Sequence, residues 1–231
     1  MLNQTRSNAS NRRCSFACRG TGYCSSHCKA ANNGTEADWA KRVFGDEGQA
    51  ASGNSGNDTP SGTCKFFTAN LLVRPLRVSQ GDWNKSYVLA TTKEILVNLE
   101  TLTEGLDKSL ALKIPVDITG KVNAEGKDRG FFAPANPDLF GEAQIALVKC
   151  FEDFELPIVA RNRLNDKGIS ESLWYEEFVP YTSRFYFFVL APEGDTGFEA
   201  LKKLLKDGAV QFGGNASVGY GYCNVKEVEL P

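Results

Sequence analysis

The chain reads as an α+β domain of the ferredoxin-like kind, on three observations. Its C-terminal half runs strand, strand, amphipathic helix, glycine-rich loop, strand. No regular alternation of strand and helix units appears, which argues against a doubly wound parallel sheet. Residues 208–223, GAVQFGGNASVGYGYC, place five glycines in fourteen positions between a helical pattern and a strand. Glycine adopts φ > 0 and lets backbone come close, so this loop is either shaped around a ligand or packed tightly on its own fold. The order helix, glycines, strand is the reverse of the dinucleotide fingerprint, and no Gly-Lys-Ser/Thr closes the run as a phosphate loop would require.

The 231 residues suffice for one large domain or two small ones, and 42% hydrophobic content supports a substantial core. The net charge of −2 excludes a polycation, so any nucleic-acid site must be a local basic patch. No apolar run is long enough to cross a membrane, and the N-terminus lacks the apolar stretch of a signal peptide. A cytoplasmic protein is expected.

Residues 1–34 are polar and aperiodic and read as a disordered, Cys-rich leader, with 35–231 as the domain proper. The leader holds Cys14, Cys18, Cys24 and Cys28, with the single histidine, His27, among them. Four thiolates could bind zinc tetrahedrally, although the C-x3-C-x5-C-x3-C spacing differs from common zinc modules. Cys64, Cys150 and Cys223 read as small apolar packing groups. A short helix is expected over 36–44, capped by Thr35 and ended by Gly45, and then a flexible loop over 46–63.

Strands are expected over 64–73 and 87–90, followed by a helix over 93–106 with Ile95, Leu96, Leu99 and Leu102 on one face. Residues 110–122 suggest a strand with a turn, and 145–150 a short apolar strand. Residues 124–137 read as a loop carrying Lys127, Arg129 and the exposed-looking pair Phe131 and Phe132. Cations beside rings suit a loop that inserts into an RNA partner; the other reading is an ordinary loop with two buried rings. Residues 158–164 alternate, so Arg161 and Arg163 share a strand face where they could contact phosphate or simply meet solvent. Residues 184–190, RFYFFVL, form a strand that is either core or a ring-stacking face. The last helix is expected over 198–207, capped by Thr196.

Together these motifs resemble the backbone RAMP subunit of type III-B (Cmr) CRISPR effector complexes. The run 158–164, then Leu173-Trp174-Tyr175-Glu176-Glu177, Pro180 and the aromatic strand carries part of the likeness. Residues 213–221, GGNASVGYG, resemble the family's C-terminal glycine-rich loop, with Ser217 where Thr is usual. Val43-Phe44-Gly45 and residues 72–81, LVRPLRVSQG, resemble two further family motifs, with Val78 for Ser and Gln80 for Lys. The family's opening Thr-Pro-x-His-x-Gly, acidic loop and Gly-x-Ser-x-Lys-Gly helix start are absent before Trp39.

The resemblance implies a RAMP fold and an RNA-binding subunit of a multi-subunit antiviral ribonucleoprotein. Its partners would be guide RNA, target RNA, further copies of itself and other type III effector subunits. The RNA-contacting residues would be Lys127, Arg129, Phe131, Phe132, Arg161 and Arg163, with Gly213, Gly214, Asn215, Gly219 and Gly221 of the loop. Relatives cleave target RNA with Mg or Mn and an acidic loop that is not identifiable here. Asp38, Asp46 and Asp58 are the only aspartates ahead of the first confident strand, so the catalytic residues are unassigned and no cleavage is expected. Two other readings stand beside this one: a degenerate fragment that no longer assembles, and a zinc-stabilised interaction module.

Overall fold

The computed structural model describes residues 2–4, 38–45, 61–80, 86–108, 112–141, 143–151 and 155–228. Its elements begin with β1 (Leu2–Gln4), α1 (Asp38–Phe44), β2 (Lys65–Phe66), β3 (Asn70–Gln80), β4 (Tyr87–Thr92) and α2 (Lys93–Leu106). They continue with β5 (Gly120–Ala124), β6 (Lys127–Phe132), α3 (Pro137–Phe140), β7 (Ile145–Val148), β8 (Ile158–Leu164) and β9 (Ser170–Glu177). The chain finishes with β10 (Arg184–Tyr186), β11 (Val189–Leu190), α4 (Thr196–Lys206), β12 (Ala209–Gln211) and β13 (Tyr222–Val225). The mixture of helix and strand is the expected α+β class. The described residues fall into two compact units, one drawn from Met1–Asn70 and Phe185–Glu227, the other from Leu71–Arg184 and Val228–Pro231.

In the first unit the strand order is β12-β13-β1-β10. The strand Leu2–Gln4 lies in the stretch that composition assigns to the leader, and it pairs antiparallel with β13, Leu2 opposite Val225 and Gln4 opposite Cys223. Cys14, Cys18, Cys24, Cys28 and His27 lie outside the described residues. Helices α1 and α4 pack together through Val43 and Leu201, which are buried with Cys64, while Trp39, Phe198 and Leu205 close around them. Phe198, Leu201 and Leu205 are three and four residues apart, the spacing that puts side chains on one helix face.

The cap of α4 is Asp195, not Thr196. The Asp195 carboxylate accepts from the Phe198 N–H at 2.9 Å and from Arg42 Nε of α1 at 2.9 Å. Both residues are good cap formers. The arginine from a segment 153 positions away in sequence selects between them. The Phe198 N–H first, then Arg42, hold the Asp195 carboxyl below its ordinary value of 3.8. A folded pKa below the unfolded one gives stability that is fully present above about pH 4 and lost as pH falls through the folded value. Unfolding midpoints measured from pH 6 to pH 2 should therefore drop more steeply at the acid end for the wild type than for Asp195→Asn. Parallel curves would refute this role for the carboxylate.

In the second unit the order is β3-β4-β7-β6-β5, and an additional β3–β5 pairing closes the circuit of five strands. Leu76, Val88, Ala90, Val122, Ala124, Ala146 and Val148 fill its interior. They sit at alternate positions within each strand, as a closed sheet requires. Helix α2 follows β4 directly and leads to β5, while β7, the parallel neighbour of β4, comes only after β5, β6 and α3. Thr92 caps α2 by accepting from the Ile95 N–H at 3.1 Å, and Leu96, Leu99 and Thr103 are buried. The helix matches the expected 93–106.

Three strand expectations change. Residues 64–73 divide into β2 and the start of β3, with the Phe67 N–H donating to the Phe188 carbonyl between them. Residues 184–190 divide into β10 and β11, because β11 pairs with β2 while β10 lies beside β1. The strand expected over 110–122 begins only at Gly120, after an irregular approach through 112–119.

Candidate nucleic-acid interface

The second unit carries a groove of about 650 Å³. Strand β3 contributes Arg74 and Arg77, and β4 contributes Tyr87. Lys127 and Arg129 come from β6, with Glu125 at the turn before it. Phe178 and Tyr181 follow β9, and Glu155 lies on the approach to β8. Four cations thus face two carboxylates and three rings, a local basic patch in a chain of net charge −2.

The groove is built by a reciprocal clamp. The Arg77 N–H donates to Glu125 Oε1 at 2.8 Å, and the Glu125 N–H donates to the Arg77 carbonyl at 2.9 Å. Glu125 and Gly126 take φ of 51° and 72°, as the two central residues of a tight β5–β6 hairpin turn must. The clamp holds that turn to the end of β3 and so sets Lys127 beside Arg77. Arg74 is only 7% exposed, and its guanidinium lies 4.9 Å from the Phe151 ring centroid. Burial lowers its pKa and Glu125 opposes the shift, but a guanidinium remains charged at neutral pH.

The sequence expectation of a loop over 124–137 is corrected here. Lys127, Arg129, Phe131 and Phe132 belong to strand β6. Lys127 and Arg129 alternate along the strand, so both reach the groove. Phe131 is half-buried against the barrel interior. Phe132 is 0% exposed, opposite Ile145 of β7. It cannot wedge into or stack on a ligand. Two adjacent phenylalanines look like an exposed pair only until a neighbouring strand covers them.

Strands β8 and β9 form a two-stranded hairpin of their own, with Arg161 opposite Trp174 and Arg163 opposite Ser172. Arg161 Nε is bonded to Glu176 Oε2, and Trp174 Nε1 donates to Glu176 Oε1 at 2.9 Å. The Trp174 hydrogen bond first, then Arg161, lower the Glu176 pKa. Arg163 is more open: its side chain is 75% exposed, and Glu171 lies 3.7 Å away. At the tip, Asn165 Oδ1 accepts from the N–H groups of Lys167 and Ile169, both at 3.0 Å. The hairpin exposes Leu164, Ile169, Leu173 and Tyr175.

In the first unit, residues 212–221 join β12 to β13. Gly213, Asn215, Gly219 and Gly221 have φ between 59° and 85°, left-handed values that explain the glycines. At Gly221 a Cβ would collide with the Phe212 carbonyl oxygen. The side chain of Gln211, 1% exposed, fills the inside of the loop. Sequence reading missed Gln211, since nothing marks the last residue of a strand as the interior of the loop that follows it.

No family model and no curated protein matches this chain. Among solved structures, a chain of the type III-B Cmr-β assembly bound to cognate target RNA superposes with a TM-score of 0.64 at 18% identity, covering 87% of this chain and 79% of that one. The apo state of Cmr-β gives 0.61 at 19% identity, with 82% and 75% covered. The chain has a Cmr-type fold. At these identities the Cmr likeness lies in the path of the backbone, in keeping with the α+β RAMP fold expected from the motifs.

Within this Cmr-type fold the other expected site residues are separate. Asp38 is exposed in the first turn of α1, and Asp46 and Asp58 lie outside the described residues. Among the described residues no three metal-ligating side chains gather. Cys64 and Cys223 are buried, and burial pushes the Cys223 thiol up to about 11. No helix among the described residues is long and apolar enough to cross a membrane.

Proposed function

We propose that this chain is an RNA-binding subunit of a type III-B CRISPR ribonucleoprotein. It would hold guide RNA and meet target RNA, alongside further copies of itself and other effector subunits. The groove carries this reading. Arg77 and Lys127 offer exposed cations to phosphates, while Tyr87 and Tyr181 offer rings on which bases stack whatever their sequence. Guide–target pairing would supply the choice of sequence, and the protein would read backbone and shape. The Cmr-β chain of similar fold belongs to an assembly bound to target RNA, which supports the same assignment. The catalytic acid remains unassigned, and the role proposed is binding.

The test is fluorescence anisotropy with a labelled single-stranded RNA over a salt series. Binding should weaken linearly on logarithmic axes as salt rises. Affinity no better than that of a neutral protein of equal size would overturn the reading. The hairpin arginines give a second prediction. Arg163 is exposed and only loosely paired with Glu171 at 3.7 Å, so Arg163→Ala should lower the salt slope by about 0.7, the value of one single-strand contact. Arg161 is engaged by Glu176, and Arg161→Ala should change the slope by less than half as much. Equal effects would show that the Glu176 pairing breaks when RNA binds.

A further inference from the structure

We infer that Gln211 is the positioning residue of the glycine-rich loop, turning three consecutive backbone N–H groups outward as a cradle for a phosphate of the RNA strand. The inference rests on the RNA-binding reading above. Gln211 Nε2 lies 2.8 Å from the Gly213 carbonyl oxygen, 3.3 Å from that of Phe212, and 3.4 Å from those of Gly214 and Tyr220. Its two amide protons are shared among four carbonyls that converge on it. From the far end of the loop, Cys223 Sγ donates to the Gly221 carbonyl at 3.4 Å.

The described peptide bonds, those of the loop included, are trans. In a planar trans peptide the C=O and the following N–H point in opposite directions. Carbonyls of Phe212, Gly213 and Gly214 that aim at Gln211 therefore aim the N–H groups of Gly213, Gly214 and Asn215 away from it. Among the described residues none of these three N–H groups donates a hydrogen bond. Successive N–H groups in a segment that mixes left-handed and right-handed residues form a concavity that binds anions. Among the described residues nothing lies within 4 Å of a Cβ built at Gly213 or Gly214. The glycines permit this backbone, and the buried amide selects it from the many conformations that five glycines allow.

Such a cradle is uncharged and releases no counterion on binding, so its loss has its own signature. Gln211→Met keeps the length and removes both donors. It should weaken single-stranded RNA binding about tenfold or more, the value of one hydrogen bond to a charged group, and leave the salt slope unchanged. Gln211→Glu adds a discriminating readout. An ionised carboxylate among four carbonyls is repelled, whereas the protonated acid can donate to Gly213. Burial raises the pKa of such an acid. The variant should therefore bind RNA nearly as well as wild type at low pH and lose affinity as pH rises, while wild type shows no such step. A pH-independent Gln211→Glu, or a Gln211→Met with wild-type affinity, would overturn the inference. Should both variants unfold, the wild type still decides: its Gln211 side-chain amide protons must exchange far more slowly than those of an exposed glutamine, and rapid exchange would overturn the assignment. Wild-type protein that fails to bind RNA but retains slow Gln211 exchange would refute the functional reading and leave the loop's anchor intact.

Discussion

Replacing Arg77 and Lys127 together by alanine should lower the slope of log affinity against log salt by about 1.4 for single-stranded RNA, since each lost phosphate contact removes about 0.7. Binding should weaken by the same factor for every RNA sequence, because phosphates carry no base identity. The fold should survive. The clamp to Glu125 uses the Arg77 backbone N–H and carbonyl, which alanine retains, and both side chains lie on the groove surface. Stability should then stay within about 0.5 kcal/mol of wild type, as for surface changes generally. An unchanged slope in a folded double variant would remove the groove from the RNA path. A loss confined to one RNA sequence would show that these cations read bases.

The second large effect separates core rings from surface rings. Phe132→Ala should destabilise the protein by about 3–5 kcal/mol, the cost of deleting a fully buried ring. Tyr181, 56% exposed at the groove, should behave in the opposite way. Tyr181→Ala should leave urea unfolding almost unchanged, yet weaken RNA binding by about 1–3 kcal/mol, the value of one base stacked on a ring. Urea titration and anisotropy on the same two proteins check both statements. If Phe132→Ala folds normally but binds poorly, the ring reaches RNA after all and its burial is undone on binding.

The helices were the most legible part of the sequence. α2 has apolar residues at helical spacing and a threonine cap whose oxygen is local, so chain-neighbour physics sufficed. For α4 the spacing was legible but the cap was not, because Arg42 chooses Asp195 from another part of the chain. The basic residues Lys127 and Arg129 were legible as chemistry. Their companions Arg74, Arg77, Tyr87 and Tyr181 were not, since the groove forms only when β3, β4, β6 and the segment after β9 come together.

Local pattern and composition were enough for the α+β class and for glycines at left-handed positions in the loop. Each of these depends on residues close in the chain, through helical period or φ preference. Burial and pairing belong to the tertiary structure alone. Whether Phe132 faces solvent depends on β7 lying beside β6. The engagement of Arg161 depends on the β8–β9 register that sets Glu176 and Trp174 around it. The burial of the Gln211 side chain among the carbonyls of Phe212, Gly213, Gly214 and Tyr220 depends on β12 and β13 bringing the two ends of the loop together. Contacts of this kind join positions that the sequence keeps apart, and their energies appear only when the closing of the chain brings them within a few ångströms.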